Sequence, residues 1–147
     1  MNRIDFQRLA KLRLKEAEAL LAAEFPEGAY YLAGYAVECG LKACIAKRTR
    51  EHDFPEKKLV IDSHTHDLGK LLDLAGLSDL LKNDVDGNIE LKLDWETVRE
   101  WSEHSRYRLY DQLYDGNPFG GLHDAKLLID AVESEKGGML RWIRQSW

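Results

Sequence analysis

The chain has 147 residues, 44% of them hydrophobic, a length that suits one domain with a real core and is too short for two. Its formal net charge of −5 excludes a general nucleic-acid coat, because nonspecific affinity for phosphate is largely counterion release by Lys and Arg. Residues 1–147 are therefore expected to form a single domain, with positive charge in local patches only: Arg3 to Lys15, Lys42 to Arg50, and Arg106 with Arg108.

From Arg3 to Glu24 the apolar residues Phe6, Leu9, Ala10, Leu14, Ala17, Leu20 and Leu21 share one sector of a helical wheel, which predicts an amphipathic first helix. Phe25-Pro26-Glu27-Gly28 breaks it, and a connector this short makes the next helix its antiparallel partner. That next stretch, Ala29 to Lys47, has only Glu38, Lys42 and Lys47 as charges. It is too long for a strand, and its apolar surroundings predict a helix buried nearly all round at the centre of a bundle. Tyr31, Tyr35, Glu38 and Lys42 fall on one stripe of it. The stripe is either an i,i+4 ion pair with snorkelling tyrosines or the wall of a site. A membrane span is excluded by Glu38 and Lys42 near its middle, each costing about 2.5–3.5 kcal/mol on insertion. The first eighteen residues lack the apolar core of a signal peptide, so a cytoplasmic protein is expected. Cys39 and Cys44 diverge by about 140° around the helix and read as small buried thiols, not a disulfide.

Residues 51–63 show no helical period and read as a loop with Leu59-Val60-Ile61 as a possible anchor. Ser63 or Thr65 can cap the following helix, Asp67 suits its positive end, and Leu68, Leu71, Leu72 and Ala75 form its buried face up to Gly76. Another turn or two follows Ser78. His52, His64 and His66 match no zinc signature, and His66 reads as the neighbour of a helix cap; neither metal nor cofactor is expected. Asn88 to Leu93 alternates without a strand to pair with, so it reads as extended loop or frayed helix. A helix from an Asp94 cap through Trp95, Val98 and Trp101 to Tyr107 follows. After a loop at Gly116 to Gly121, Leu122, Ala125, Ile129, Val132, Met139 and Ile143 stay in phase, which predicts one last helix through Gly137-Gly138. The whole is an all-α, antiparallel bundle of four to five helices.

Chemistry concentrates at 99–108. An imidazole, His104, can move a proton near neutral pH, and a guanidinium, Arg99, can hold and stabilise a phosphate. Five positions apart, they diverge by about 140° on an ideal helix, so they share one phosphate only where the helix ends or distorts. The alternative pairs Arg99 with Glu103 and leaves His104 at a helix end.

The AYYLAGYAVECGLKACIAK helix, the His66-Asp67-Leu68 start of the next, and Arg106-Tyr107 after a tryptophan-bearing helix together resemble the HEPN domain (higher eukaryotes and prokaryotes nucleotide-binding), over about Phe6 to Ile143. The resemblance implies a helical bundle that usually dimerises. It implies a metal-independent endoribonuclease, with Arg99 and His104 matching, at a separation of four, the family's Arg followed after four to six residues by a His. Lys42, Arg106, Tyr107 and Arg108 would then contact RNA or nucleotide, and Tyr35 and Glu38 would support the motif. In HEPN toxins paired with a nucleotidyltransferase antitoxin a Tyr stands two residues beyond the His; here that position is Arg106 and the Tyr is Tyr107. Two functions follow: a ribonuclease of a toxin–antitoxin or defence module, leaving 2′,3′-cyclic phosphate ends, or a non-catalytic module that binds a nucleotide or a nucleotidyltransferase partner. Trp142 and Trp147, hard for a monomer to bury together, argue for a homodimer.

Overall fold

A computed structural model describes residues 1–51, 56–107, 109 and 120–147. Among the described residues the chain is an all-α bundle with eight α-helices and no strand. Four are long: α1 (Arg3–Ala22), α2 (Pro26–Glu51), α6 (Ile89–Arg99) and α7 (Gly120–Glu133). Four are short: α3 (Lys57–Asp62), α4 (Leu68–Leu74), α5 (Ser78–Asp86) and α8 (Met139–Arg144).

Asn2 and Asp5 form a reciprocal capping box that starts α1. The helix ends with Glu24 in the left-handed region at φ 64°, while Phe25 N donates to Leu20 O at 2.8 Å and Glu24 N to Leu21 O at 3.0 Å. These two bonds close the helix end, and Pro26, whose ring pre-sets a helical φ, is the first residue of α2. The predicted hairpin is therefore present, with its break just before the proline.

α2 is the axis of the bundle: it packs against α1, α4, α7 and α8. Ala33, Ala36, Val37, Leu41, Ala43 and Cys44 are all buried, so the helix touches protein on nearly every side. No helix among the described residues is long and apolar enough to cross a membrane.

Four expectations are corrected. Residues 57–62 form α3 instead of a loop, and only Leu59 packs on the core while Val60 and Ile61 are exposed. Residues 89–93 are the first turns of α6, because the Asn88 side chain accepts from Leu91 N at 3.1 Å and caps the helix there. The apparent strand alternation places Ile89 and Leu93 on the exposed side with Leu91 buried. Asp94 is not a cap: its Oδ2 accepts from Ser134 Oγ at 2.9 Å and from Gly138 N at 2.7 Å. That carboxylate holds the turn between α7 and α8, where Gly138 has φ 56°. The predicted single last helix is thus two, and the turn preserves the phase, so Ile129, Val132, Met139 and Ile143 still face the core.

Both C-terminal tryptophans pack within the chain and so give no support to a dimer. Trp142 is buried within the chain and donates Nε1–H to Asp84 Oδ2 at 2.8 Å. Trp147 packs against the core, with Lys11 and Arg144 near its ring and its carbonyl accepting from Arg3 at 2.8 Å.

Candidate active site

The site is organised by one indole. α6 stops at Arg99, Trp101 N donates back to Val98 O at 3.1 Å, and the chain continues as a 3₁₀ turn at Glu103–Tyr107 instead of the expected α-helix. Trp101 is buried against α2, where Gly34 has no side chain; a methyl group there would overlap the indole ring. Tyr31 lies 6.1 Å from Trp101 between ring centres and stacks on Tyr35 at 6.0 Å. The indole Nε1 is buried without a hydrogen-bond partner among the described residues, and packing holds the ring. Because α6 ends at Arg99, Arg99 and His104 are not held about 140° apart on one helix.

A second element reaches the same place. Thr65 Oγ1 accepts from Asp67 N at 3.2 Å and Asp67 Oδ1 from Lys70 N at 2.9 Å, so Asp67 caps α4. His66, just before the cap, is turned towards α2. Its Nδ1 lies 3.0 Å from both carboxylate oxygens of Glu38, and its Nε2 lies 3.1 Å from Glu103 Oε2. Glu38 is 1% exposed, a buried charge that also accepts from Lys42 Nζ at 2.8 Å. A neutral imidazole donates to one carboxylate, a protonated one to both. Glu38 is buried and Glu103 part-exposed, so Nδ1 faces the buried carboxylate and Nε2 the part-exposed one.

His66, Thr65, Asp67, Arg99, Ser102, Glu103 and His104 line one cleft of about 430 Å³. A neighbouring cleft of about 310 Å³ is lined by Tyr30, Ser105 and Tyr107 and shares Glu100, Ser102 and His104 with the first. His104 therefore stands on the ridge between the two. Tyr107 is 73% exposed and carries the Arg106 guanidinium 4.8 Å from its ring centre. Two imidazoles, two guanidinium groups and an exposed aromatic ring are thus gathered around two adjoining clefts, interspersed with the carboxylates of Asp67, Glu100 and Glu103.

The structure separates some residues that the sequence grouped. Lys42 is spent on Glu38 and lines a different depression of about 400 Å³, with Arg3, Ile45 and His64. Glu38 orients His66, not Arg99, and Glu103 turns to His66, not to Arg99 as the i,i+4 alternative required. Tyr35 supports the site through Tyr31, and burial, followed by the charges of Cys39 and Glu38, pushes its hydroxyl above the usual tyrosine range. Arg108 and His52 lie outside the described residues. His66 is the residue that sequence reasoning missed. The signal was Glu38 itself: an acid inside an apolar helix requires partners, and Lys42 fills only one side of it.

No family model matches this chain, and neither does any curated protein or solved structure.

Proposed function

We propose that this chain is a HEPN-type, metal-independent endoribonuclease. The observation that carries the reading is the end of α6 at Arg99 followed by a 3₁₀ turn, which puts Arg99 and His104 on the wall of one cleft. Arg99 holds the scissile phosphate and stabilises its growing charge. His104 is a general acid or base for transfer of phosphorus from the 5′ oxygen to the 2′ oxygen, giving a 2′,3′-cyclic phosphate. Arg106 and Tyr107 contact flanking nucleotides, the exposed ring offering a face on which a base stacks. By the same resemblance the protein is a homodimer and belongs to a toxin–antitoxin or defence module, its antitoxin a nucleotidyltransferase.

The test is cleavage of total tRNA and of a generic RNA in EDTA by the wild type and by His104→Ala. Wild-type cleavage with cyclic-phosphate ends, falling by about 10²–10⁴-fold in the variant, is expected. Full activity in His104→Ala would sink the mechanism.

A second reading draws on the three carboxylates in the cleft and on the stacked Arg106 and Tyr107. In it the chain is a module that grips a nucleotide or a nucleotidyltransferase without turnover. Nucleotide binding that is lost in Tyr107→Ala, with no RNA cleaved by the wild type, would select it.

A further inference from the structure

We propose that His66, held by Glu38, is a second catalytic imidazole of this cleft and the general base of the reaction; the proposal rests on the ribonuclease reading above. Three observations carry it. The ring stands in the same cleft as Arg99 and His104. Its Nδ1 lies 3.0 Å from both oxygens of a carboxylate that is 1% exposed, an arrangement that in the neutral ring places the N–H on Nδ1 and leaves Nε2 as the acceptor. The only other group on Nε2 among the described residues is Glu103, part-exposed at 3.1 Å, whose place a substrate hydroxyl can take.

The assignment of roles follows from the surroundings. A buried carboxylate behind Nδ1 stabilises the imidazolium that forms when Nε2 accepts a proton, as in other carboxylate–histidine pairs. His104 has no carboxylate partner among the described residues and lines the second cleft as well, together with Tyr107. In the step, His66 Nε2 takes the proton of the ribose 2′-hydroxyl and the 2′ oxygen bonds to phosphorus. The bond from phosphorus to the 5′ oxygen breaks, and protonated His104 delivers a proton to that oxygen. The products are a 2′,3′-cyclic phosphate and a 5′-hydroxyl, and water returns both imidazoles to their starting states. Glu38 is a positioning residue, and Glu103 competes for Nε2.

The experiment is the RNA cleavage assay across a pH series with His66→Ala, His66→Gln, Glu38→Gln, Glu103→Gln and His104→Ala, each checked by thermal melting. His66→Gln keeps an amide donor towards Glu38, so it separates folding from proton transfer. The wild type should give a bell-shaped profile, since one imidazole must start neutral and the other protonated. Both His66 variants should lose about 10²–10⁴-fold with the acidic limb gone, and added imidazole should restore part of the activity of His66→Ala. Glu38→Gln should lower kcat with KM unchanged, while Glu103→Gln should cleave at least as fast as the wild type. Wild-type cleavage that His104→Ala abolishes but a folded His66→Gln retains would overturn this proposal and leave the ribonuclease standing. No cleavage by the wild type at any pH would remove both.

Discussion

Replacing Gly34 by alanine tests the claim that one packing contact positions the whole cleft. The added methyl overlaps the Trp101 ring itself, not the far end of a flexible chain, so the indole must leave its seat on α2. Overpacking of this kind costs about 1–3 kcal/mol, and three ring atoms in conflict put it at the upper end. Alanine returns about 1 kcal/mol of helix propensity. The net loss is about 2 kcal/mol, or a melting temperature about 4–8 °C lower for a chain of this size. The larger effect is on function. Trp101 lies between Arg99 and His104 in the chain, and a misplacement of about 1 Å at a reacting group costs about 10²-fold in rate. Melting followed by far-ultraviolet circular dichroism, near-ultraviolet circular dichroism for the aromatic packing, and the RNA assay read the three consequences. Gly87→Ala is the control, because a methyl there meets nothing within 4 Å. A Gly34→Ala protein with the wild-type melting temperature and aromatic spectrum would refute the reasoning.

Other consequences follow from particular contacts. A hydrogen bond with Glu18, then burial, pushes the Glu133 carboxyl up to about 7 from about 4.5, so the folded protein holds a proton that the unfolded chain releases earlier. That contribution is present below pH 4.5 and lost as pH rises through about 7. Glu133→Gln should match the wild type at pH 4.5 and melt higher at pH 8, by about 1 kcal/mol at most given solvent screening; a gap constant with pH would rule the shared proton out. Burial pushes the Cys39 and Cys44 thiols to about 11 each, so neither should react with an aromatic disulfide reagent at pH 8 until the protein is denatured, when both should. Asp94→Ala removes the acceptor for Ser134 and Gly138 and should cost about 1.5–3 kcal/mol, with Asp94→Asn recovering part of it. Equal melting of the alanine variant and the wild type would show that the turn between α7 and α8 does not depend on this carboxylate.

The helical class, the α1–α2 hairpin and the buried central rod were legible because each depends on a local pattern repeated over many residues. The 3.6-residue period of apolar side chains and the break before Pro26 are written in order along the chain. The gathering of Arg99, His104, Arg106 and Tyr107 in one segment was equally visible, although the shape of that segment was not.

Helix ends and long-range partners belonged to tertiary structure. Asp94 and Asn88 are both good caps by type, and which one caps depends on where Ser134 and Gly138 stand. Arg99 and His104 reach one cleft because Trp101 finds a flat seat on Gly34, sixty-seven positions earlier in the chain. His66 acquires its orientation from Glu38, 28 residues away. A sequence determines by itself what a few neighbouring residues can settle among themselves, namely period, breaks and the inventory of reactive groups. Where a helix stops, and which carboxylate stands behind which imidazole, is decided when packing brings distant residues within bonding distance, since hydrogen bonds and ring contacts act over a few ångströms whatever the separation along the chain.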